Sequence, residues 1–169
     1  MIKAHSRGLG LRAASACAAA AMLAVGLGAA TPAVAQDRGH GGHGRGEYTV
    51  AVALVEQPPV FGDPNSMKPG DVLLFEEPAV DPGDGHQIGD SLTRVQLLEG
   101  GSYLLDCTVR LADGNLVFSG GEEFAHMEHS TFAVTGGTER FSGAHGQVDI
   151  TLTTINGAAS DLLTFHLRR

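Results

Sequence analysis

The chain has 169 residues, with 11 Lys and Arg against 19 Asp and Glu, so its formal net charge is −8. Phosphate would repel a chain this acidic, and no basic stretch interleaved with aromatics appears, which excludes nucleic acid as a partner. Aromatics make up 5% of the residues and two cysteines are present, which argues against a disulfide scaffold.

The first 35 residues read as a signal peptide. Lys3, Arg7 and Arg12 precede an apolar, alanine-rich run over 13–30, and Ala33-Val34-Ala35 forms a small-x-small site before Gln36. Cleavage is expected after Ala35, giving a secreted, extracellular protein without a stable membrane anchor. The segment holds three cations and no acid, so its removal moves the net charge from −8 to −11. It also takes Cys17 and leaves Cys107 alone, so no intrachain disulfide can form. Residues 36–46 are a Gly/His-rich tract too polar to pack, and read as a flexible leader.

From Glu47 to the C-terminus (47–169) the apolar pattern has a period of two, the strand signal. Tyr48, Val50, Val52, Leu54 and Glu56 share one face of a first strand, which Pro58-Pro59 ends. A second strand begins at Asp71 and is expected to stop at Pro78. A turn-rich loop over 81–89 leads to a third at about 90–98. Tyr103, Leu105, Cys107, Val109 and Leu111 alternate along a fourth, bounded by Gly100-Gly101 and Asp113-Gly114. Four more follow at 115–124, 130–135, 147–155 and 161–167, the last two joined at Asn156-Gly157. Eight short-linked strands without an amphipathic helix define an all-β domain. Spacing alone fits an antiparallel barrel or a sandwich.

The connection between the sixth and seventh strands reads Phe132-Ala-Val-Thr-Gly136-Gly137-Thr-Glu139-Arg-Phe141-Ser-Gly143-Ala-His-Gly146-Gln-Val148. Gly136-Gly137 is expected to turn the chain through positive φ, and Gly143 and Gly146 to let the next strand start against a neighbour. This segment resembles the signature of allene oxide cyclases and dirigent proteins. Gly70-Asp71, the Asp84-Gly-x-x-Ile-Gly89 stretch, Asp113-Gly114 and Phe165-x-Leu167 follow in the same order. Glu139 stands where those families usually have glycine. The resemblance, spanning about 47–167, implies an eight-stranded antiparallel up-and-down barrel. It also implies a small hydrophobic ligand, no cofactor, a homotrimer, and an isomerase-like steering of ring closure or of dirigent-type coupling.

Glu56 is the candidate catalytic residue. On the inward face near a barrel mouth its carboxyl would be desolvated and poised for proton transfer; at a strand end it would instead turn into solvent. By resemblance it lies near the first-strand glutamate of allene oxide cyclases, although Pro58 replaces the asparagine those enzymes carry two residues later. Tyr48 and Tyr103, the only tyrosines, fall on apolar faces and are candidate ligand contacts, as is Cys107, which also reads as a buried inert thiol. Asp106 and Arg110 share the outer face of the fourth strand and read as a surface ion pair. His126-Met-Glu-His129 lacks a third fixed ligand, so no metal site is expected. A non-catalytic extracellular structural or interaction protein on the same barrel is the alternative reading.

Overall fold

A computed structural model describes residues 46–168; the predicted signal peptide and nearly all of the leader lie outside them. The strands are β1 (Glu47–Val55), β2 (Val72–Val80), β3 (Gln87–Leu97), β4 (Ser102–Leu111), β5 (Gly114–Glu123), β6 (His129–Gly137), β7 (His145–Ile155) and β8 (Ala158–Arg168). They pair in chain order and β8 returns to β1, closing an antiparallel up-and-down barrel. Closure decides between barrel and sandwich. It also leaves little free sheet edge to template aggregation.

Opposed residues of antiparallel strands point to the same face, so the register lists which side chains meet inside. One lumen row runs Val50, Phe165, Val148, Phe132 across β1, β8, β7 and β6. Another runs Phe75, Thr93, Cys107, Phe118 across β2 to β5. The rows meet where Phe118 packs its ring 5.8 Å from Phe165 and 6.1 Å from Phe132. This aromatic cluster fills the middle of the lumen. Each such fully buried ring contributes about 1.5–3 kcal/mol.

β2, β3, β6, β7 and β8 run longer than expected, whereas β1, β4 and β5 do not. Pro78 does not stop β2, which continues to Val80. Proline is tolerated at bulges and sheet edges, and here the register shifts between Ala79 and Val80, beside a seam where β1 supplies few partners.

The glycine-rich connection works differently from the expectation. Neither Gly136 nor Gly137 has positive φ; the chain turns instead through a 3₁₀ turn at Glu139–Phe141, with Glu139 itself left-handed at φ 51°. That conformation costs a residue with a β-carbon about 1–2 kcal/mol, which is why glycine suits the position. Gly137 is required by close approach. A β-carbon there would sit 2.6 Å from the Phe141 carbonyl oxygen and 2.8 Å from that of Asn115, whereas one on Gly136 meets nothing within 4 Å.

The adjacent glycines should therefore respond oppositely to alanine. Gly137→Ala is expected to cost about 2 kcal/mol or more and Gly136→Ala less than about 0.5 kcal/mol, read by urea unfolding. Equal losses would contradict the close-approach account.

Candidate functional site

The site begins with a gap in the sheet. β1 pairs with β8 through all of 47–55, but with β2 at only two positions, Ala53↔Val80 and Leu54↔Ala79. Beyond them comes Gln57-Pro58-Pro59, and two prolines in succession offer no N–H for a ladder. Pairing resumes at Phe61↔Leu74, where the Val60 N–H donates to the Leu74 carbonyl at 2.8 Å. A slot thus opens between β1 and β2. Glu56 stays anchored on the other side, its N–H donating to the Ala159 carbonyl at 3.0 Å.

Continuing the Leu54↔Ala79 register by one inward position sets Glu56 opposite Glu77 across this slot. Glu56 is partly buried, while Glu77 behind it is only 5% exposed. The Ser91 hydroxyl donates to Glu77 Oε2 at 3.4 Å, and the Gln57 backbone N–H donates to the same carboxylate. Desolvation outweighs these donors and, with the negative charge of Glu56 added, pushes the Glu77 carboxyl up to about 7. Burial raises Glu56 above its ordinary value as well. The pair can therefore hold one proton between two carboxylates near neutral pH, the condition for one group to donate while the other accepts.

A polar band surrounds the pair. Asp161, 2% exposed, lies opposite Leu54 in β1 and Leu152 in β7. Thr93 donates its hydroxyl to Cys107 Sγ at 3.3 Å, and burial pushes that thiol up to about 12, so it stays protonated and packs rather than reacts. The negative charges of Glu77 and Asp161 both act on Cys107, which ties the two acids to one region of the lumen. Every described Lys, Arg and His is exposed, so the buried charge is of one sign.

The predicted residues part company here. Glu56 faces Glu77, and Cys107 lies in the same band. Tyr103 is buried on the lumen face of β4, but four residues along, its ring tilted against that of Phe124 at 4.9 Å. Tyr48 opposes Leu167 near the start of β1, about 25 Å along the strand from Glu56 at ~3.3 Å per residue. There it helps to line a separate cleft of 290 Å³ with Gly146, Gln147, His166 and Arg168. The cleft and the acid pair thus lie at opposite ends of β1.

Glu77 and Asp161 escape a reading that looks for motifs, yet both carry the parity signal. Glu77 alternates with Leu73 and Phe75, and Asp161 with Leu163, Phe165 and Leu167. On the outer surface, Asp106 and Arg110 do not pair with each other, because residues four apart in a strand are about 13 Å distant. They pair across strands instead, Asp106 with Arg94 at 3.0 Å and Arg110 with Asp90. His126 pairs with Glu122 at 3.1 Å on the surface. Among the described residues no three His, Cys, Asp or Glu side chains form a group that could hold a metal ion.

No protein-family model matches the chain, and no curated sequence does. Solved structures do match. A pterocarpan synthase dirigent protein superposes with a TM-score of 0.58 at 14% identity, over 77% of this chain and 89% of that one. A Diels–Alderase from Streptomyces koyangensis gives 0.55 at 16% identity, over 75% and 70%. A pyocyanin demethylase gives 0.53 at 18% identity, over 69% and 98%. The chain has the barrel fold of dirigent proteins and of Diels–Alderase cyclases.

The raised Glu77 carboxyl makes stability depend on pH with a definite sign. Folded Glu77 holds its proton up to about 7, whereas unfolded it releases it at the ordinary 4.5, so the native state binds more protons between those values. Stability is greatest below the unfolded value and falls by about 3 kcal/mol as pH rises to about 7. Glu77→Gln should remove this decline and leave the protein more stable than wild type at about pH 8, by urea unfolding across pH. A variant that keeps the full wild-type slope would contradict the assignment.

Proposed function

We propose that this protein is a cyclase- or dirigent-like barrel that holds a small apolar molecule at the Glu56 end of its lumen and steers its ring closure or rearrangement by proton transfer. The observation that carries this reading is the Glu56–Glu77 pair, two inward carboxylates across an interrupted seam, Glu77 pushed up to about 7 and Glu56 raised by burial. Glu56, nearer the slot, acts as the ionised base, and Glu77 as the acid that keeps its proton. Such paired groups typically contribute about 10²–10⁴ in rate. The apolar walls orient the molecule, which supplies the proximity part of catalysis. The fold shared with a dirigent protein and a Diels–Alderase supports the reading without specifying a substrate.

Charge narrows the ligand class. With Glu56 and Glu77 facing each other at the slot and every described cation exposed, an anionic ligand would meet like charge there. The preferred ligand is neutral. One observation favours a non-catalytic second reading: the Phe118, Phe132 and Phe165 cluster packs across the middle of the lumen, and the 290 Å³ cleft lies at the other end of β1 from Glu56.

A neutral benzisoxazole, whose N–O bond breaks as a base removes its C–H proton, reports a desolvated carboxylate directly. The wild-type protein is expected to accelerate this ring opening over buffer, and Glu56→Gln to lose about a hundredfold of the acceleration with the fold retained by circular dichroism. A long-chain carboxylate should bind less tightly than a neutral fluorescent probe of similar size. No acceleration, or an unchanged rate in the variant, would leave the non-catalytic reading standing.

A further inference from the structure

The slot between β1 and β2 has a property beyond its chemistry: it is the weakest closure of the barrel, and the two carboxylates stand on its opposite sides. β7 and β8 pair through the whole of 145–155 and 158–168, β2 and β3 pair from Val72 to Val80, yet β1 and β2 share only two register pairs before Pro58-Pro59. We propose that this seam is a proton-operated gate to the lumen, clamped while Glu56 and Glu77 share one proton and loosened when both are ionised.

In the clamped state the protonated carboxyl of one glutamate donates to the carboxylate of the other across the slot, substituting for the ladder bonds that the prolines cannot make. Once the proton is lost, two like charges face each other in a poorly hydrated slot. Separating the strands admits water and relieves both repulsion and desolvation. The groups that face Glu77 make this response one-sided. Glu56 faces it from β1, with the Gln57 N–H, and Ser91 from β3; Cys107 and Asp161 bear on the same region from β4 and β8. None of these is a cation, and every described Lys, Arg and His is exposed, so no described cation neutralises the second charge. The Glu77 carboxyl, pushed up to about 7, places the change in the neutral range.

The gate is independent of whether the protein is a catalyst, and amide hydrogen exchange tests it without a ligand. The amides to follow are Val55 and Gln57 on one side of the slot and Glu76 and Val80 on the other, with Ile150 and Leu163 in the complete ladders around β7 and β8 as the reference. After division by intrinsic exchange rates, protection of the seam amides is expected to fall at least about tenfold between about pH 5 and about pH 8, with most of the change complete near pH 7. The reference amides should keep their protection. Glu77→Gln should flatten the seam response. Should that variant fail to fold, Glu56→Gln should weaken the response, since it removes the facing charge. Seam protection independent of pH, parallel loss at Ile150 and Leu163, or a full response in the folded variants would overturn the proposal.

Discussion

The structure turns on a ladder that cannot be completed. A closed barrel asks every strand to pair on both sides, but β1 meets β2 at only two positions: residues 47–52 run past the end of β2 at Val80, and beyond Leu54 the Pro58-Pro59 pair offers no donors. Closure is carried by the other seams, so the barrel tolerates the interruption. What the interruption creates is a place where a carboxylate can face inward while remaining half in contact with water. Glu56 occupies it, and Glu77 stands directly behind.

Burial of Glu77 runs against stability. An ionised carboxylate this deep would lose its hydration without gaining a cation, so it holds its proton to about 7 instead. Such a group is of little use to a scaffold and of great use to a site that must give and take protons. The same logic separates Cys107 from the chemistry, for a thiol pushed up to about 12 is an apolar wall with a weak hydrogen bond to Thr93. The barrel thereby divides its interior between an aromatic middle that gives cohesion and an acidic end where one carboxyl keeps its proton to about 7.

Much of this architecture is legible in the sequence, and the reasons for the gaps are physical. Period-two alternation places Tyr48, Glu56, Tyr103 and Cys107 on the inward faces, and the lumen rows agree. Alternation assigns a face but not a depth, which is why Tyr48 shares a face with Glu56 in the sequence although it sits at the far end of β1. Neighbours across strands depend on register. Glu77 has inward parity in the sequence, but Pro78 reads as the end of its strand, and only the register beside Leu54↔Ala79 sets it against Glu56. Asp106 and Arg110 show the same limit in reverse, being close in the chain and paired with other strands. The glycine motif is architectural: Gly137 gives way to two carbonyl oxygens, and Glu139 takes up the left-handed turn that glycine would adopt more easily.

The likeness to a dirigent protein and a Diels–Alderase fixes the fold, while the acid pair belongs to this chain's own residues. The most direct test is to titrate the glutamate side-chain carboxyls one by one, by carbon-13 NMR of the intact domain assigned through Glu56→Gln and Glu77→Gln. The account requires Glu77 to titrate at about 7 and Glu56 to respond when Glu77 ionises. If Glu77 titrates with the exposed glutamates near the ordinary 4.5, and Glu56 is indifferent to its removal, the two carboxylates do not form a pair and the account fails.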